Sequence, residues 1–292
     1  APFATWATAG TNLAEVVTAA LADATTPRVV WVSNGVYALS ATITLNKPLT
    51  IRNWPGNEGV VVDGQDTVRC FYLDDTGAEL DGLTLTRGSA GDGGAVFMAK
   101  GGLVQNCTIY SNATTAVALG YYNKYTSVAT DSVIRNCRIF HNTGNQGGGI
   151  RMSDYRAAVI EHCRIYSNTA TTASGAAGGG GVCLGKLCVV DGCTIFSNTS
   201  ARDGGGIYAY FDSNTVVNCM IEGNTAANLG GGVALHSNNR GLISNCVIRA
   251  NRAGFAGGAH ASVTTRVIDC LISSNVSTVT SGNEGGGGLY LQ

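Results

Sequence analysis

The sequence predicts an all-β solenoid, a parallel β-helix of about nine coils with a short helix over its first coil. Three observations predict it. A motif, Cys-x-Ile-x-x-Asn, recurs seven times with invariant internal spacing: Cys107/Ile109/Asn112, Cys137/Ile139/Asn142, Cys163/Ile165/Asn168, Cys193/Ile195/Asn198, Cys219/Ile221/Asn224, Cys246/Ile248/Asn251 and Cys270/Ile272/Asn275. Successive cysteines stand 30, 26, 30, 26, 27 and 24 positions apart, and glycine clusters punctuate the series, as in Gly147 to Ile150 and Gly204 to Ile207. Between them there is neither helical periodicity nor a leucine ladder. A period of this length holding two or three short strands is what one coil of a parallel β-helix requires.

The elements follow in chain order. Residues 12 to 22 carry the one strong helical pattern, with Leu13, Val16, Val17, Ala20 and Leu21 on a single face. Such a helix can cover the unpaired edge of the first coil. Val29 to Val32, Ile43 to Leu45, Leu49 to Ile51 and Val60 to Val62 read as early strands bounded by Asn, Gly or Pro. A divergent copy of the motif, Leu83/Leu85/Gly88, precedes the seven regular ones. The domain organisation expected is one β-helix over 1–292, with an N-terminal segment and capping helix over 1–28, irregular first coils over 29–90 and regular repeats over 91–292.

Within each repeat, side chains two apart share a face, so Cys and Ile point inward and the residue between them outward. Coils ~4.8 Å apart turn every motif position into a ladder. The asparagines are expected at a corner, where Asn tolerates left-handed backbone and its amide can bond its neighbours above and below. The glycines allow tight turns at another corner. The seven inward cysteines are expected to pack as a reduced structural ladder, because parallel Cβ vectors suit a disulfide poorly; stacked disulfides are the alternative. Cys183 and Cys188 break the pattern and could close a small loop. No C-x-x-C pair or His set supplies four zinc ligands, and no cofactor is expected.

Composition limits function. Glycine is 41 of 292 residues, hydrophobic residues make up 45% and the net charge is −1. Disorder is excluded by the hydrophobic content, since a disordered chain combines low hydrophobicity with high net charge, and a nucleic-acid or anionic-membrane partner by the lack of a basic surplus. No run reaches the ~18 apolar residues of a membrane helix, so no insertion by this segment is expected. Ala1 reads as a processed or trimmed end, which is compatible with export.

The pairing of Gly147-Gly148-Gly149-Ile150 with Ile165-Tyr166-Ser167-Asn168 resembles the polymorphic outer-membrane-protein repeat, GGA[ILV] followed by FxxN, with Gly at the third position and Ile for Phe. This resemblance covers roughly residues 91 to 292. The lead-in, TWATAGTNLAEVVTAAL then VWVSNGVYALS then ITLNKPLTIRN, looks like the start of pectin-lyase-like secreted β-helix proteins. Together these imply a right-handed parallel β-helix, export, and an extracellular or cell-surface role such as adhesion. They carry over no catalytic residue.

Candidate sites are few. Tyr110, Phe140, Tyr166 and Phe196 follow the motif Ile on four successive coils and are expected to form an outward aromatic strip, able to hold sugar rings or a partner protein. An irregular stretch brings Tyr121, Tyr122, Lys124 and Tyr125 toward Asp154, Tyr155 and Arg156 on one flank, where departures from a repeat often place function. Asp74, Asp75, Glu79 and Asp81 read as a solvated turn, and His141 and His162 as corner residues. The favoured function is a non-enzymatic extracellular or surface protein: an adhesin, a stalk or a self-assembling subunit. The alternative is a carbohydrate-active protein, a lyase, hydrolase or glycan-binding module with its groove on that flank. Expected partners are surface glycans or proteins, or further copies of the chain docked head to tail through the GGGGLYLQ end.

Overall fold

A computed structural model describes residues 9–24, 28–56, 58–115, 117–119, 132–152, 157–175, 178–211, 213–236, 240–262, 264–279 and 286–291. The helix runs Leu13–Ala22 and starts where Asn12 accepts hydrogen bonds from the Ala14 and Glu15 backbone amides. Leu13 and Val17 are buried, with Val16, Ala20 and Leu21 packed beside them, so the predicted apolar face is the one that caps the core.

All strand pairing in the body is parallel. Three ten-stranded sheets, A, B and C, run the length of the molecule, and a six-stranded sheet D joins them in the regular part, giving about nine turns. Each regular coil passes from a strand of sheet A through a corner to sheet B, then through a second corner and a two-residue strand of sheet D, and through the glycine cluster to sheet C. A variable loop returns the chain to sheet A. The early strands Val29–Val32 and Ile43–Leu45 form where expected, and Gly35–Ala38 adds a strand that the sequence reading did not include. Along sheet B the motif Ile residues are fully buried from Ile109 to Ile248, Leu85 continues their row, and Leu83 continues that of the cysteines. Val62 pairs with Leu85 and Leu85 with Ile109, so the frame begins before the first recognisable motif.

The corners correct one expectation. Left-handed backbone falls on the residue before each ladder asparagine, as at Ser111, His141, Ser167, Ser197 and Ala250, and not on the asparagine. Asn112, Asn142, Asn168, Asn198, Asn224 and Asn251 turn inward and are at most 2% exposed, with Asn275 half-buried. Each Nδ2 donates to the next Oδ1 at 2.9–3.0 Å. Every one also donates to a carbonyl of the coil before, as Asn198 does to Ile165 O at 2.9 Å. The first corner uses left-handed residues as well: Asn106, Asn136, His162, Asn218, Asn245 and Asp269. Both His141 and His162 are corner residues, as expected.

The glycine cluster exists to wrap this amide column. Gly204 has φ +59, which a side chain disfavours. A Cβ on Gly205 would lie 2.5 Å from Gly231 O and 2.6 Å from backbone atoms of Thr225. One on Gly206 would lie 3.1 Å from Asn224 Nδ2. That Cβ would also lie 2.6 Å from Gly232 O, so Gly206 and Gly205 are both held to glycine by carbonyls of the next coil, and Gly204 by its φ.

The ten cysteines are free thiols, nine of them buried and Cys270 half-buried. Cys107, Cys137, Cys163, Cys193, Cys219 and Cys246 line the interior as expected. The proposed closure by Cys183 and Cys188 does not occur: Cys188 lies in the main core, while Cys183 packs with Tyr208 and Ala234 in a separate small cluster. These two face opposite sides of the wall. Burial pushes the Cys70 and Cys188 thiols up to about 12 and the Cys137 thiol well above its ordinary range.

Candidate functional site

The aromatic strip forms as expected but not with the faces a sugar needs. Tyr110, Phe140, Tyr166 and Phe196 stack with centroids 5.3, 4.8 and 4.8 Å apart and planes within 10° of parallel. Each inner ring thus has both faces covered by its neighbours and shows solvent only an edge. Arg138 and Arg164 lie 5.9 and 5.8 Å from the Phe140 and Phe196 ring centres. The strip lies stacked along the outside of sheet B. Tyr166→Ala is expected to destabilise by roughly 1–3 kcal/mol, two stacked pairs, in urea unfolding, with polysaccharide affinity unchanged. Weakened binding at an unaltered unfolding midpoint would restore the strip as a binding surface.

The flank predicted from Tyr121, Tyr122, Lys124, Tyr125, Asp154, Tyr155 and Arg156 lies outside the described residues. The chain re-enters sheet A after it at Ser132 and Ala158.

Sheet A carries the chemistry that the sequence reading missed. Its strands alternate inward apolar and outward residues, and the register puts the outward ones in two rows. The first is Trp31, Arg52, Asp81, Gln105, Arg135, Glu161 and Asp191 on seven consecutive coils. Beside it, Glu79 is followed by Leu103, Val133, Val159 and Val189.

From Arg52 to Glu161 the polar row is a connected network. Arg52 pairs with Asp81 and lies 3.7 Å from Glu79. Thr50 Oγ1 donates to Glu79 Oε2 at 3.0 Å and Gln105 Nε2 to Glu79 Oε1 at 2.5 Å. Asn106 Nδ2 donates to Asp81 Oδ1 at 2.7 Å, and Arg135 Nε to Gln105 Oε1 at 2.9 Å. Arg135 also reaches Glu161 at 4.0 Å. Further on, Asn218 donates to Asp191 at 2.7 Å and Asn245 to Asn218 at 2.8 Å. Glu79 and Asp81, expected in a solvated turn, are strand residues on this face, because strand Ala78–Asp81 pairs with Leu49–Asn53 and Gly102–Gln105. Asp75, by contrast, does hold a turn, accepting from Gly77 N at 2.8 Å.

At the N-terminal end of the row Trp31 and Trp54 meet edge to face, 5.3 Å between centroids and 71° between planes. They are 42% and 40% exposed. Arg52 covers part of Trp31, its guanidinium carbon 5.4 Å from the ring centre. Both indoles keep part of their surface open to solvent here, whereas each inner ring of the strip on sheet B is covered on both faces. Among the described residues no cluster of three or more His, Cys, Asp and Glu side chains is arranged to hold a metal ion.

Comparisons with known proteins bear on the frame of this face. The family described as "right handed beta helix region" matches residues 28–218 and 131–272. The crystal structure of the pectate lyase Pel9A superposes with a TM-score of 0.54 at 14% identity, over 91% of this chain and 75% of that one. A PL6 alginate lyase in complex with a trisaccharide aligns over 94% of this chain and 60% of that one, at 15% identity and a TM-score of 0.35. No curated protein matches the sequence. At this identity the likeness to Pel9A is one of fold.

Proposed function

The chain belongs to the right-handed β-helix family, and from that premise we propose that it binds an extended polysaccharide along the outer face of sheet A without cleaving it. One observation carries the reading: two exposed, crossed tryptophans open onto a continuous outward row of guanidinium, carboxylate and amide groups. Indole faces pack against the C–H faces of sugar rings, and fixed hydrogen-bonding groups beside them set orientation. A linear polymer matches a linear row. The kinship of fold with a pectate lyase supports polysaccharide as the ligand class.

Binding without cleavage is favoured by how the charged groups are engaged. Proton abstraction needs a base within reach of the substrate and free to accept. Arg52 and Arg135, the arginines of the polar row, are already bonded to carboxylate or amide partners. Lys100 pairs with Asp74 at 3.3 Å. This chemistry is that of an adhesin or attachment module, and we place it outside the cell. No helix among the described residues is long and apolar enough to cross a membrane.

Affinity electrophoresis and calorimetry on the whole chain test the proposal. Trp31→Ala with Trp54→Ala is expected to weaken polymer binding at least tenfold, the effect of losing anchor aromatics, while the thermal midpoint moves little, since both rings are about 40% exposed. Unaltered affinity in the double variant rejects this face. New reducing ends or unsaturated products in the same mixtures would replace binding with catalysis.

A further inference from the structure

We propose, resting on the polymer-binding reading above, that the polymer is a neutral polysaccharide laid along the helix axis with about one sugar per coil. Charge decides against an acidic polymer. From the coil of Arg52 to that of Asp191 the outward face of sheet A offers two cations, Arg52 and Arg135, against four carboxylates, Glu79, Asp81, Glu161 and Asp191. Neither cation is spare. Arg52 is bonded to Asp81, and Arg135 is bonded to Gln105 and faces Glu161. A polyuronate brings one more negative charge with every residue, so along the row it meets four carboxylates on three coils with neither guanidinium of the row free to answer it, which is how an interface rejects the wrong ligand.

A neutral sugar meets the same groups as partners. An ionised carboxylate has about four lone-pair sites, and a sugar hydroxyl donates to them and accepts from the amides of Gln105, Asn218 and Asn245 without bringing charge. The second row supplies what a charged polymer does not need: Leu103, Val133, Val159 and Val189 are half-buried, outward and consecutive. The face is therefore amphipathic across its width, polar on one side and aliphatic on the other. A ribbon-like chain of pyranoses has the same division between hydroxyl edges and C–H surfaces. The coil spacing of ~4.8 Å is close to the length of one pyranose in an extended chain, so successive sugars meet successive coils in the same register.

Affinity electrophoresis of the 292-residue chain through gels of mixed-linkage β-glucan, xylan, galactomannan, polygalacturonate and alginate, each with and without calcium, tests this. At least one neutral polymer is expected to bind tenfold or more tighter than either acidic one, in both conditions. Val159→Glu, on the exposed side of its strand, is expected to weaken neutral binding about tenfold with the thermal midpoint preserved. Glu161→Lys with Asp191→Lys is expected to raise affinity for polygalacturonate at least tenfold. Equal or tighter binding of polygalacturonate or alginate by the parent chain, lost in Trp31→Ala/Trp54→Ala, overturns the neutral assignment and leaves the binding face standing. Binding to none of the five overturns both. Neutral binding that survives the tryptophan variants and Val159→Glu overturns the face itself.

Discussion

Asn198→Ala is expected to cost roughly 3–6 kcal/mol, because it removes one member of a fully buried network and leaves several groups unpaired at once. Asn198 is 0% exposed. Its Oδ1 accepts from Asn168 N and Asn168 Nδ2, both at 3.0 Å. Its Nδ2 donates to Ile165 O at 2.9 Å and to Asn224 Oδ1 at 3.0 Å. In the alanine variant the two Asn168 donors and the Ile165 carbonyl lose partners in a place water does not reach, and the surrounding glycines leave no side chain to substitute. Asn218→Ala is the matched control. That residue also belongs to a ladder on the same coils, bonded to Asp191 and Asn245, but it sits at an exposed corner, so about 1 kcal/mol is expected. Guanidinium unfolding of the two variants distinguishes them, and equal losses would show that the buried column does not carry the stack.

The repeat was legible because the interior imposes identity. In the regular coils a small apolar residue fills the Cys position and a branched one the Ile position, and an amide at the third donates to one neighbouring coil while accepting from the other. Val29–Val32 and Ile43–Leu45 were legible for the same reason, their burial alternating along the strand. Gly35–Ala38 was not: it is exposed at three of its four positions and carries no inward apolar signal. Apart from His162, the first corner escaped because its requirement is a backbone angle. Asn106, His162, Gly192 and Asp269 share left-handed φ values and nothing else in common.

Outward positions obey weaker rules, and there the sequence reading was least complete. It identified the row from Tyr110 to Phe196, since adjacency follows from the period, but ring orientation does not, and orientation decides whether a row of aromatics offers faces or edges. The face on sheet A was hidden by irregular spacing. Trp31, Arg52, Asp81 and Gln105 stand 21, 29 and 24 positions apart, and the first three lie in coils that precede the regular motif. Their alignment rests on register between strands, which loop lengths set. One signal was present: Glu79 and Asp81 alternate with buried Ala78 and Leu80, a strand pattern inside what read as an acidic turn.

Cys188→Ala is expected to be the less stable chain at pH 7 and the more stable one at pH 10.5. At neutral pH the variant loses a buried side chain, worth about 1–2 kcal/mol. The alkaline side follows from linkage. Burial holds the Cys188 thiol protonated up to about 12, whereas in the unfolded chain it ionises near ~8.5. A folded-state value raised above the unfolded one gives stability that is complete below the unfolded value and falls as pH rises, until the folded thiol titrates too. Between pH 9 and 11 the unfolded state therefore binds fewer protons, and the parent loses about 1.4 kcal/mol per pH unit through this thiol alone. By pH 10.5 that is about 2–3 kcal/mol, more than the lost side chain. The two stability curves should cross between about pH 9 and 10.5. Cys70, raised to about 12 by burial, and Cys137, raised well above its ordinary range, add slope of the same sign to both chains. They steepen the alkaline fall without moving the crossing. Urea unfolding at half-unit steps from pH 7 to 11 under reducing conditions reads it, and curves that stay parallel throughout would mean that the Cys188 thiol does not remain protonated and dry in the native coil.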